Sequence, residues 1–173
     1  VRLPVHITPL SWRGISRHYF AFDTPGGPSS TAWPATNRAI YLPFDLEENA
    51  IVGRFYFVNG SATGNIDLGI FEAAGGTKLV STGSTAKTPA TSCQYIGVTD
   101  YLLHAGSYYY GAVVDGTTTV HAVNFATAVA GGQRVLGMLA ENLGSGTLPS
   151  VMAGSTHSDN YIPLVGFTQS DSM

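Results

Sequence analysis

Charge is scarce in this chain. Of its 173 residues only 11% are Asp, Glu, Lys or Arg, well under the roughly 25% of an ordinary soluble domain. The eight Lys and Arg are scattered and form no basic run, so there is no stripe to track a phosphate backbone, and a net charge of −3 argues further against a nucleic-acid partner. Cysteine is scarcer still. Cys93 stands alone, which excludes an internal disulfide framework and leaves packing and β-ladders to hold the fold. Its own expected role is that of a small buried hydrophobe. No apolar run approaches the roughly 20 residues that span a bilayer, so no membrane insertion is expected. The opening VRLPVHITPL lacks the charged region, apolar core and small-residue cleavage site of a signal peptide.

What is abundant is the opposite of a disordered composition. Hydrophobic residues reach 44%, against the low hydrophobicity and high net charge of a chain that stays unfolded. Ser, Thr, Asn and Gly must then cover much of the surface, as is common in extracellular domains and in parts of larger assemblies.

Residues 1–37 hold most of the prolines. TPGGPSSTAWPATN cannot be a helix or a central strand, so 1–37 is expected to be an irregular N-terminal arm and 38–173 the body. The arm carries Trp12, Tyr19, Phe20, Phe22 and Trp33, too many aromatics for a free linker. They should pack on the body or on a neighbouring subunit.

Beyond residue 38 the pattern is regular. AIYLPF (39–44) reads as a short strand, with Pro43 placing it at an edge or strand end. In 50–59, alternation puts Val52, Arg54, Tyr56 and Val58 on one face and Ile51, Phe55 and Phe57 on the other. In 65–73 it turns Ile66, Leu68 and Ile70 inward and Asp67, Gly69 and Phe71 outward. Further strands are expected at 92–98, in the Tyr108–Tyr110 region with Tyr109 opposite its two neighbours, at 117–125, at 134–140 and at 160–169. Asn59-Gly60, Gly75-Gly76 and Asp115-Gly116 mark turns. No segment offers an amphipathic helix of three turns. The expectation is an all-β, antiparallel β-sandwich, jelly-roll-like, of about eight strands.

The chemical motifs are weak. Ser84-Thr85-Ala86-Lys87 matches the S-x-x-K nucleophile pattern, which needs a helix to align Ser with Lys. Here it lies in a Gly/Thr/Pro segment and reads as a surface loop. His6, His18, His104, His121 and His157 show no metal-ligand spacing. Glu47 and Glu48 point to opposite sides if on a strand and fit a solvated turn better than a glycosidase pair. Asn59-Gly60-Ser61 is a glycosylation sequon that doubles as a turn. No catalytic residue, metal site or cofactor is therefore expected. Tyr108, Tyr109 and Tyr110 are read as core plus subunit contact, with a sugar-stacking platform as the alternative.

The stretch VGRFYFVNGSATGNIDLGIFEAAGGTKLVSTGST, followed by VTDYLLHAGSYYYGAVVDGT, resembles β-sandwich modules of tailed-bacteriophage virion proteins. The match covers residues 50–115, a little over a third of the chain, and rests on packing motifs. It implies a structural, non-enzymatic part of a virion: a head or tail fibre, spike, decoration or tail protein, made in the host cytoplasm. The implied partners are other virion proteins and further copies of this chain, with a trimer as a guess. The alternative is a glycan-binding receptor module facing a host surface glycan. The candidate interface or glycan contacts are Trp12, Tyr19, Trp33, Tyr108, Tyr109 and Tyr110.

Overall fold

β-branched and aromatic residues suit a pleated, half-buried surface, and in a computed structural model the stretches rich in them are strands. The structure describes residues 29–88, 91–124, 137–156 and 161–168. Among these lie no helix and thirteen strands: β1 (Ser29–Ala32), β2 (Arg38–Leu46), β3 (Ala50–Val58), β4 (Asn65–Glu72), β5 (Lys78–Ser81), β6 (Thr85–Ala86), β7 (Cys93–Leu103), β8 (Gly106–Val114), β9 (Thr119–Asn124), β10 (Leu139–Asn142), β11 (Ser155–Thr156), β12 (Tyr161–Pro163) and β13 (Val165–Thr168).

All pairings are antiparallel. One layer runs β11-β10-β2-β8-β4-β5, with β6 also on β4. The other is formed by β1-β9-β12 and β13-β3-β7. These two small sheets are joined at Leu164, whose N–H donates to His121 O while its carbonyl accepts from Val58 N. The chain is thus an antiparallel β-sandwich. Several pairs are nested in sequence, β2 with β8, β3 with β7 and β4 with β5, while β4 also pairs with β8. β12 and β13 lie between β9 and β3.

The core lies between the layers. Ile40, Leu42 and Phe44 of β2, Ile66, Leu68 and Ile70 of β4, and Tyr110, Ala112 and Val114 of β8 meet Val52, Phe55 and Phe57 of β3 and Phe167 of β13. Tyr110 is fully buried, edge-on to Phe55, and its hydroxyl donates to Gly166 O at 2.5 Å in the opposite layer. Burial drives its pKa well up, so it stays a neutral donor.

The outer face of the larger sheet is buried too. Ala39, Tyr41, Phe71, Val113 and Leu148 form a second cluster, covered by residues 143–154. That cover is fastened at several points: Lys78 N donates to Ser150 O at 2.8 Å, Met152 N to Gly76 O at 2.9 Å, and Thr77 bridges Val151. A Cβ on Gly111 would come within 2.6 Å of Phe71, so glycine is what lets two aromatic rings lie over the middle of β8.

Several expectations need correction. The body begins no later than Ser29, because β1 pairs with β9 along Ser29–Ala32; the 1–37 arm boundary falls too late. Pro43 is inside a nine-residue strand and sits beyond the last β10 pair, Leu139 with Tyr41, where β2 lacks that neighbour. Strict alternation along β3 fails at Gly53. The register with β7 shifts between Val52 and Arg54, so Val52 joins Phe55 and Phe57 in the core and Ile51 is left outside. The Gly75-Gly76 turn does carry positive φ at both glycines, 84° and 68°.

Removing the Tyr110 hydroxyl deletes the bond between layers while keeping the ring. Tyr110→Phe should lower the unfolding free energy by about 1–2 kcal/mol, read as an earlier urea midpoint at unchanged slope. An unchanged midpoint would show that the bond contributes nothing net.

Candidate functional site: the open face of the smaller sheet

Buried polar groups are the first place to look for chemistry, and here they hold loops. Asp67 is fully buried. Its Oδ2 accepts from Leu148 N at 2.9 Å and its Oδ1 from Thr82 Oγ1 at 3.3 Å. Burial raises its pKa, opposed by the Leu148 amide, the Lys78 charge and the Thr82 and Gly83 donors. Lys78 Nζ donates to Leu148 O at 2.9 Å. Tyr41 donates to Glu141, and Glu141 also accepts from Ala153 N at 3.3 Å. All of these groups fix the 143–154 cover on the larger sheet.

A second polar cluster closes one end of the sandwich. Ser84-Thr85-Ala86-Lys87 is not a surface loop. Thr85 and Ala86 pair with Ile66 and Asn65, Ser84 Oγ meets Asn65 Nδ2 at 3.1 Å, and Lys87 is buried. Lys87 Nζ donates to Thr118 Oγ1 at 2.8 Å and Thr119 O at 2.9 Å. The same Thr119 carbonyl accepts from Gly60 N and Ser61 N. An extended strand directs Ser84 and Lys87 to different partners, so the S-x-x-K chemistry has no support here. Asn59 is fully buried, bridged to Val120 and donating to Gln94 Oε1 at 2.9 Å. An oligosaccharide has no access to it in the folded chain.

The aromatic candidates separate clearly. Trp33 is only 1% exposed; it donates to Arg38 O at 2.7 Å and meets Tyr161 edge-on. Tyr110 is in the core. Neither presents a ring to a partner or a sugar, which corrects both as contact residues: their position between layers uses up their surface. Tyr108 is half-buried, stacked on Phe44 with its hydroxyl donating to His104 O at 2.7 Å. Tyr109, on the opposite side of β8, is half-buried against the outer cluster. Trp12 and Tyr19 lie outside the described residues, as do His6, His18 and His157. Among the described residues no group of three His, Cys, Asp or Glu side chains could hold a metal ion.

The surface that stands out is one the sequence pattern did not single out. On β13-β3-β7 the side away from the core carries Ile51, Arg54, Tyr56 and Val58 from β3, paired with Leu102, Gly97, Tyr95 and Cys93 from β7. Tyr95 is 59% exposed, Leu102 51% and Ile51 43%. The Tyr56 ring lies over Gly166, where a Cβ would come within 2.4 Å of it, and is tilted 46° to Tyr95 at 6.1 Å. Burial, then the neighbouring Cys93 and Tyr95, raise the Tyr56 pKa. Cys93 is exposed on this face, not buried as expected. The hint available in the sequence was Gly53, since a glycine inside a strand often marks a bulge, and a bulge here exchanges Ile51 for Val52 in the core.

No protein-family model matches the chain, and no curated protein or solved structure matches it. The residues themselves carry the functional reading.

Burial lowers the Lys87 pKa from 10.5 to about 8, with the Asp115 charge opposing. Between those two values the unfolded chain binds a proton that the folded chain does not, so Lys87 makes stability rise with pH across that window. In urea titrations from pH 8 to 9.5 the stability of the wild type should rise relative to that of Lys87→Met. Parallel curves for the two proteins would mean that Lys87 is not desolvated.

Proposed function

We propose that this chain is a non-enzymatic structural component of a bacteriophage virion, a head or tail fibre, spike or decoration protein, that works by associating with further copies of itself and with other virion proteins. The observation that carries the assembling role is the difference between the two outer sheet faces. Residues 143–154 cover the larger sheet, while Ile51, Tyr95 and Leu102 stand in water on the smaller one. Large apolar side chains left exposed on one sheet face are candidates for an interaction site. The virion setting is supported by the resemblance of residues 50–115 to phage β-sandwich modules and by a surface with few charges.

A second reading, glycan recognition, is favoured by one feature. The exposed Tyr95 ring beside Tyr56 offers an aromatic platform of the sort on which a sugar ring stacks. A glycan array answered by a host polysaccharide, and lost in Tyr95→Ala, would favour it.

The assembling role predicts a light-scattering mass that is a stable multiple of 18.2 kDa over a wide concentration range. A strict monomer throughout would overturn it.

A further inference from the structure

We infer that a second copy of this chain adds to the free edge of β7, its own β7 running antiparallel to the first about a two-fold axis. This rests on the assembling role proposed above and specifies the contact. Strand length singles out the edge. Among the described residues, β1, β5, β6, β11, β12 and β13 are each paired on one side only, and none exceeds four residues. β7 is also paired on one side only, with β3, and has eleven. A long edge presents a row of N–H and C=O groups that an extended strand pairs, and it is ordinarily blunted by Lys, Pro or shortness. From Cys93 to Leu103 there is no Lys and no Pro, and the single charge is Asp100. The register shift lies beyond Gly97, so Cys93–Gly97 runs straight along Val58–Arg54.

The side chains say which strand fits. Tyr95 and Gly97 are two residues apart and so share one side of β7. An antiparallel pairing centred on Ile96 sets Tyr95 of each copy opposite the partner's Gly97. This sheet already contains such a pair: Tyr56 stands opposite Gly166, and its ring lies over that glycine. Aromatic rings shelter the bare backbone of a glycine on a neighbouring strand in this way. Gly97 has the room, since a Cβ built there meets no atom within 4 Å. Tyr95 is exposed beside Tyr56 and free to reach it. On the other side of the strand Ile96, which packs on the core, comes opposite its own copy, and Gln94 opposite Val98. No charged residue lies between Gln94 and Val98, so the pairing sets no like charges against each other. β13-β3-β7 thereby continues into the same three strands of the partner, and the two-fold uses up both edges.

The test uses the full chain. Gly97→Lys sets a hydrated ammonium where the partner's Tyr95 lies, at a position where its own chain has room. It should raise the dissociation constant at least about ten-fold. Gly144→Lys, at a glycine of the 143–154 cover with equally open surroundings, should leave it unchanged. Register is read by cross-linking in a Cys93→Ser background: Tyr95→Cys mixed with Gly97→Cys should form a disulfide dimer faster than either variant alone. Hydrogen exchange on the wild type needs no variant. Edge-facing amides of 94–98 should exchange quickly in the monomer and slowly once it associates. Several results would overturn the edge contact and leave the assembling role standing: association unaffected by Gly97→Lys, no faster cross-linking in the mixture, a trimer, or 94–98 amides that exchange equally fast in the associated form. Slow exchange of those amides already in the monomer would overturn it too, by showing that the chain covers its own edge. A monomer at every concentration would remove both.

Discussion

A tyrosine hydroxyl in an apolar core must find an acceptor or carry the full cost of lost hydration. Tyr110 finds Gly166 O, and that acceptor belongs to the opposite layer. The bond fixes β8 against β13 at a set height and angle, where dispersion alone would tolerate sliding. Phe55 and Phe167 take their places around it. On the other side of β8, Gly111 leaves room for Tyr41 and Phe71 to cross over the strand. One strand, buried on both sides, therefore sets the spacing of three successive levels: the smaller sheet, the larger sheet and the 143–154 cover.

The polar groups inside this arrangement follow a single logic. A loop lying on an apolar sheet face buries backbone groups that need partners. Asp67 and Lys78 supply them from the sheet, one taking the Leu148 amide and the other its carbonyl. At the sandwich end, Lys87 and Gln94 do the same for the 117–119 and 86–88 segments. In a chain with so few charges, a substantial share of the ionisable groups is committed to holding irregular backbone in place. That leaves the outer face of β13-β3-β7 dominated by aromatic and aliphatic side chains.

Much of the architecture was legible because period-two patterning reports the side of a strand. Ile66, Leu68 and Ile70 face the inner core and Tyr108 and Tyr110 lie opposite Tyr109, as alternation requires. Alternation reports side, however, and not depth. Asp67 and Phe71 point outward from the sandwich and are fully buried all the same, because a distant segment with little pattern of its own covers them. Alternation also fails where the pairing register shifts, and Ile51 and Val52 exchange roles beside such a shift at Gly53. Cys93 shows a third limit. Apolar character alone cannot tell a core position from an open sheet face.

The placement of residues 161–168 has a consequence for how the fold is reached. β3 and β9 are made early and midway along the chain; they meet directly just past the end of β3, at the Asn59–Val120 bridge, and the rest of their seam is filled by β12, Leu164 and β13. During synthesis the smaller layer remains incomplete until those residues have emerged, with Phe55 and Phe57 lacking their β13 neighbours. Pairing Arg54 with Thr168 also closes a loop of more than a hundred residues, which places this protein among the slow-folding topologies. Its nascent form spends the longest time with an open seam beside two of its core phenylalanines.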